Sequence, residues 1–264
     1  MTEHNASQRF FYTTLKSLYN KILIFFLFML LLYGYLRLEM ISQEEIDFRK
    51  VEKISIFILA GQSNMAGRGG VFNGVWVEYI PIECRNNNRL LRLNGDSKLE
   101  EAKEPLHEGI DNVKKTCGVG PGMAFASAIL KRTQILVRSR LITRANDALK
   151  YGGKIRAILW YQAETDTRNE VAAKEFRGQY KKFLHRLYEE LKNPKAPFIQ
   201  VALASGQGVK NYIHRVRAIQ NAMENVVTVD AFGLQLGADG MHLTTTSQVQ
   251  LGKMMANAFF NTTK

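Results

Sequence analysis

Three residues have the types and spacing for acyl-transfer chemistry. Ser63 lies in FILAGQSNMAGRGG (Phe57–Gly70), where an apolar run stops at Ala60-Gly61. Asp239 and His242 stand three apart near the carboxyl end, a spacing that one loop can present. A serine hydroxyl is a poor nucleophile at neutral pH and needs a base that titrates near neutrality, which histidine supplies. The histidine in turn needs a carboxylate to fix its tautomer and stabilise the imidazolium. A developing oxyanion needs preorganised donors. The Ser63 amide N–H is one candidate; the side-chain amide of Gln162, just after Trp160-Tyr161, is another. Glu164 is a weaker candidate for the same site, with a hydrogen bond to a neighbouring loop as the bland alternative. A turn serine or a D-x-x-H pair alone is a weak signal. Placing all three elements just after apolar runs is a stronger one, because sites in open α/β sheets form outside the carboxyl ends of the strands.

The elements that must position these residues are legible as alternating periods. Ile54–Ala60, Ile155–Tyr161, Phe198–Leu203 and Val226–Val229 are short, almost wholly apolar runs, as expected of parallel strands covered on both faces. Between and after them, Pro121–Lys131, Glu170–Lys192, Tyr212–Asn225 and Ser247–Phe260 carry helical spacing. Pro121 sits in the first turn of its helix, and Asn193-Pro194 closes the second. Strands alternating with helices predict βαβ units and an α/β fold, a parallel sheet between two helical layers.

Composition narrows the partners. The net charge is +12, of which residues 1–50 supply +1 and the rest of the chain +11. Asn112–Asn146 contains no acid and seven Lys/Arg, a run that usually marks a solvated face. No zinc-finger spacing, RNP-like aromatic motif or helix-turn-helix signal accompanies the charge, so no nucleic-acid partner is expected. Cys84 and Cys117 lack C-x-x-C spacing and signal neither a metal site nor a redox pair; one disulfide and two buried thiols both remain open. Ile22–Leu36 (ILIFFLFMLLLYGYL) is an uncharged run of fifteen residues behind Lys16 and Lys21, with no small-residue cleavage site after it. It predicts a signal anchor over residues 22–40, between an amino-terminal tail (1–21) and a polar linker (41–53), with the enzyme-like domain over 54–264. The corresponding location is membrane-anchored in the secretory pathway, or secreted, with a soluble cytoplasmic protein as the alternative if the amino-terminal segment is an artefact of the gene model. Asn261-Thr262-Thr263 is a glycosylation sequon usable only in the secretory pathway.

Several stretches together resemble one superfamily. GQSNMAG (Gly61–Gly67), WYQAETD (Trp160–Asp166) and DGMHLTTTSQVQLGKMMANAF (Asp239–Phe259) are similar to SGNH hydrolases. The nearest branch looks like the plant carbohydrate esterases of family six, related to the sialate O-acetylesterase domain; TCGVGPGMAFA (Thr116–Ala126) and IQVALASG (Ile199–Gly206) match it too. The resemblance implies a three-layer αβα sandwich, flavodoxin-like, and hydrolysis of acetyl esters on sugars with no metal or cofactor. It casts Ser63 as nucleophile, His242 as base, Asp239 as its partner and Gln162 as an oxyanion donor. Two departures stand out. Ala163 replaces the glycine of the usual Q-G-E, so a positive φ there implies strain. The strand and glycine turn that relatives carry after the GPGMAFA helix are not evident, which predicts a sheet short of one strand, with Gln134–Val137 as the candidate to replace part of it. The alternative to an active esterase is therefore a carbohydrate-binding relative with an incomplete oxyanion hole.

Overall fold

The structure is a computed structural model that describes residues 27–37, 54–111, 115–133, 137–140, 147–191, 195–208, 210 and 212–262. The chain divides into two compact units at Val51/Glu52. In the first, residues 27–37 form a helix. Its eleven residues rise about 16 Å, roughly half of a bilayer's hydrocarbon core. No helix among the described residues is long and apolar enough to cross a membrane. The expected anchor is thus not supported, and residues 22–26 and 38–40 of it lie outside the described residues.

The second unit is an α/β sandwich. Its strands are β1 (Ser55–Gly61), β2 (Val71–Phe72), β3 (Val75–Trp76), β4 (Leu90–Leu93), β5 (Leu99–Glu101), β6 (Val137–Arg140), β7 (Lys154–Tyr161), β8 (Phe198–Ala202) and β9 (Val227–Asp230). Its helices, in chain order, are α1 (Ser63–Ala66), α2 (Pro121–Arg132), α3 (Glu170–Leu191), α4 (Ile213–Asn221) and α5 (Thr245–Thr262). The main sheet runs β5-β4-β6-β1-β7-β8-β9, and β2-β3 form a separate hairpin. All pairings in the main sheet are parallel except that of the edge strand β5 with β4.

The alternation of side chains along β1 builds both layers. Phe57 meets Phe125 of α2 and Phe259 of α5 edge-on, with ring centroids 5.0 and 5.1 Å apart. Burying such a ring is worth about 1.5–3 kcal/mol. On the other layer Trp160 and Phe198 pack against Phe183 of α3. The helices α2 and α5 approach closely because Gly252 has no side chain; a Cβ there would lie 2.4 Å from the Pro121 carbonyl oxygen. Cys84 and Cys117 are both buried free thiols.

The sheet corrects the expectation of a missing strand. β6 fills the position between β4 and β1, pairing Val137 with Ser55 and Arg140 with Ile58. Of the candidate Gln134–Val137 only Val137 belongs to it, and residues 134–136 lie outside the described residues. The described pairing of β6 with β1 runs as far as Ile58, and residues 141–146, which follow it, lie outside the described residues.

β1 ends where it presses on β7. A Cβ on Gly61 would lie 2.0 Å from the Tyr161 carbonyl oxygen, a backbone atom that cannot swing away. Gly61→Ala is expected to destabilise the domain by about 3 kcal/mol, the upper end of overpacking costs. Urea unfolding of the variant measures this, and a loss below about 1 kcal/mol would show that the strand ends separate at little cost.

Candidate active site

The turn after β1 sets the position of Ser63. Gln62 N–H donates to the Tyr161 carbonyl at 2.9 Å, which ties the turn to β7. One helical turn follows: Met65 and Ala66 N–H donate to Gln62 O at 3.0 and 2.9 Å. Gly67, at φ +95°, ends it against Gly118 and Gly120, where a Cβ would meet backbone at 2.6 and 2.7 Å. Ser63 therefore stands half-buried at the open end of α1. Its amide N–H has no acceptor among the described residues, since the turn's own bonds begin at Met65.

His242 and Asp239 arrive on the loop before α5. The loop is closed by Gly237 N–H to His242 O at 2.7 Å and Thr244 N–H to Gln235 O at 3.0 Å. His242 Nε2 lies 2.8 Å from Ser63 Oγ, and His242 Nδ1 lies 2.6 Å from Asp239 Oδ2. The other oxygen, Asp239 Oδ1, accepts the amide N–H groups of Met241 and His242, both at 2.9 Å. Partial burial pulls the Asp239 carboxyl upward, but those two amides and the His242 ring outweigh it and hold it below the usual carboxylate range. An ionised carboxylate only accepts, so Nδ1 carries the ring proton and Nε2 is left as the acceptor facing the serine hydroxyl. The arrangement has the connectivity needed to take a proton from Ser63 Oγ.

Asn64, within GQSNMAG but given no role in the sequence analysis, joins the two loops. It is fully buried. Its Oδ1 accepts Leu243 N–H at 2.9 Å and its Nδ2 donates to Glu164 Oε1 at 3.0 Å. Glu164 lies behind Asn64, also buried, and Oε2 has no partner among the described residues. It bonds the residue next to Ser63, with no hydrogen bond to Ser63 itself. Gln162 directs its amide to Asp166 Oδ2 at 2.8 Å, and its described hydrogen bonds do not reach Ser63, His242 or Asp239. Between them Ala163 is buried at φ +119°, a conformation that strains any residue but glycine by about 1–3 kcal/mol.

No group of three or more His, Cys, Asp or Glu among the described residues is arranged to hold a metal ion. Asp239 and His242 form one wall of an open cleft of about 900 Å³.

Comparison with known proteins shows the family of the chain. The family model SASA, described as carbohydrate esterase, sialic acid-specific acetylesterase, matches residues 53–138 and 136–261. A probable carbohydrate esterase of Arabidopsis thaliana is 42% identical over 238 residues, covering 78% of this chain and 90% of that protein. The chain belongs to the SASA carbohydrate esterase family. An Arabidopsis thaliana crystal structure at 41% identity superposes with a TM-score of 0.75 over 80% of this chain and 99% of that one. A carbohydrate acetylesterase structure from Xanthomonas citri, 15% identical, shares the fold with a TM-score of 0.55 over 79% of this chain and 56% of its own. The SASA match falls into two segments that meet at residues 136–138, the start of the short strand β6.

The buried groups around the site give it a pH signature. Burial pushes the Glu164 carboxyl up to about 7, against the opposing Asn64 bond. Burial likewise pushes Glu104 up to about 8 and the His107 imidazole down to about 4. A raised carboxyl holds a proton that the unfolded chain releases, so its stabilisation is lost as pH rises from about 4.5 towards its folded value. His107 acts oppositely, its neutral ring adding stability as pH rises from about 4 to 6.5. Above pH 6.5 only the carboxyls contribute. Wild type is therefore expected to lose stability between about pH 6.5 and 8, and Glu164→Gln to lose about 1 kcal/mol less over that window. Urea unfolding at stepped pH measures both slopes, and identical slopes would show that Glu164 is ionised throughout.

Proposed function

We propose that this chain is a serine esterase that removes acetyl groups from carbohydrate. The hydrogen-bonded series Asp239–His242–Ser63 carries this reading, with membership of a carbohydrate esterase family behind it. His242 Nε2 takes the Ser63 proton as Oγ attacks the acetyl carbonyl. The Ser63 amide N–H meets the oxyanion, and Gln162 adds a second donor once its side chain turns from Asp166. The tetrahedral intermediate collapses as His242 returns the proton to the departing sugar hydroxyl, leaving acetyl on Ser63. Water, activated by the same imidazole, then releases acetate and restores the serine. Asp239 stays ionised throughout and stabilises the imidazolium.

A second reading is a relative that binds acetylated sugar without turning it over. Its support is the division of the family match into two segments at residues 136–138 and the strained Ala163 just after β7. Losing one oxyanion donor costs about 10²–10³ in rate in measured cases.

Acetate release from p-nitrophenyl acetate and acetylated xylan by the full chain separates the two. Under the first reading Ser63→Ala abolishes release and Asp239→Asn lowers it by about 10⁴. Binding of acetylated xylan with no Ser63-dependent release would favour the second. Ala163→Gly is expected to raise stability by about 1 kcal/mol by relieving the positive φ, read as a higher Tm. An unchanged or lower Tm would mean that the backbone there carries no strain.

A further inference from the structure

The cleft beside His242 and Asp239 is much larger than an acetyl group requires. At about 900 Å³ it lies in the range that holds a whole drug-sized ligand. Its far wall is the β2–β3 hairpin and the chain that follows. The hairpin turns on Asn73-Gly74, with φ of 49° and 78°, the pair of positive values a tight two-residue turn demands. Its two cross-strand pairs face opposite ways. Val71 and Trp76 face inward onto Gly118, where even a Cβ would come within 2.8 Å of Val71 and 3.0 Å of Trp76. Phe72 and Val75 face outward and are 56% and 67% exposed. Val77 and Tyr79 follow, also exposed, and Phe72, Val77 and Tyr79 all line the cleft.

The hairpin is held in place. Val71 N–H donates to Arg68 O at 3.1 Å and Val77 N–H to Gly70 O at 2.9 Å. The Thr116 hydroxyl caps the Gly74 carbonyl at the tip. An aromatic side chain left exposed on a fixed hairpin, while its neighbour Trp76 is seated, is a surface available for contact. The rest of the lining includes Asn73, Thr116, Gln235, Thr245 and Thr246, amides and hydroxyls that both donate and accept. Among the described lining residues charge is scarce beyond the catalytic loop: Arg68 is buried and bound to Asp111, which leaves Lys115.

Aromatic faces set among amides and hydroxyls, with little free charge, suit a neutral sugar chain. Ring C–H groups of a sugar meet the electron-rich aromatic face, and its hydroxyls meet the polar side chains. We infer that the β2–β3 hairpin is a subsite for a neutral oligosaccharide, whose rings beyond the acetylated one rest on Phe72 and Tyr79. The inference builds on the esterase reading of Ser63. It makes the substrate an acetylated glycan chain rather than a small acetyl ester or an acidic polymer.

The full chain tests this with ethyl acetate, monoacetylated methyl xyloside and acetylated xylotetraose as substrates. The tetraose is expected to have at least tenfold higher kcat/KM than the xyloside. In Phe72→Ala and Tyr79→Ala the ratio of kcat/KM on tetraose to that on ethyl acetate is expected to fall about tenfold, through KM. Equal values for tetraose and xyloside, or an unaltered ratio in both variants, would overturn the subsite while leaving the esterase intact. If no substrate turns over, titration calorimetry with unmodified xylotetraose decides the subsite independently. Binding that is lost in Phe72→Ala upholds it, and no binding by wild type overturns it. Tighter binding of oligogalacturonate than of xylotetraose overturns the neutral-chain assignment.

Discussion

The spacing between Ser63 and His242 depends on one buried side chain, that of Asn64. The serine belongs to the turn after β1 and the histidine to the loop before α5, 179 residues later in the chain. Nothing in either loop alone fixes their separation. Asn64 spans it, accepting from Leu243 N–H on the histidine side while its own backbone is part of the serine turn. Its backbone carbonyl is held in turn by Gln248 Nε2, from α5, at 3.2 Å. An amide serves here because it offers donors and an acceptor on one rigid plane, and each of these faces a different segment. Leaving one such buried partner unmet costs about 1–3 kcal/mol, enough to favour a displaced loop.

Glu164 extends that logic to the end of β7. A carboxyl with one oxygen on Asn64 Nδ2 and the other unpartnered among the described residues is poorly compensated as an anion. Burial therefore favours the protonated form, which keeps an acceptor for Asn64 without a bare charge beside Ser63. Below about pH 7 the ends of β1 and β7 and the His242 loop are then joined through a carboxyl that favours its neutral form, while Asp239 keeps a negative charge that two amides and the imidazole meet.

Four of the parallel strands, β1, β7, β8 and β9, were legible because their runs are mostly apolar, and β1 and β8 are buried almost throughout. Ser63, Asp239 and His242 were candidates because each follows such a run, and the structure sets them within hydrogen-bonding reach of one another. β6 was not legible: VRSR lacks the apolar signature, and its identity comes from pairing between β4 and β1, a long-range relation. The role of Asn64 has no local signal, since its partners Leu243 and Glu164 are remote in sequence. The hairpin had a local signal that went unread, an Asn-Gly pair between Val-Phe and Val-Trp. The direction of the Gln162 amide was beyond reach, because Asp166 four residues on competes for it only once the turn has formed.

β6, which fills the place of the strand expected to be missing, and the chain leading to Ala163 flank the same strand. β1 is bordered by β6 on one side and β7 on the other. Beyond Ile58, among the described residues, its ladder continues only on the β7 side, through Leu59, Ala60 and Gly61 to Tyr161. The serine turn is tied to β7 by Gly61 against the Tyr161 backbone and by Gln62 N–H on the Tyr161 carbonyl. Ala163 sits two residues past that carbonyl at its positive φ. Its strain has few ways to relax, because shifting the end of β7 shifts the serine turn with it. A strained link persists when the surrounding contacts over-determine it. Here those contacts are the ones that hold Ser63 in reach of His242, so the geometry of the site and the strain beside it are sustained by the same half of the sheet.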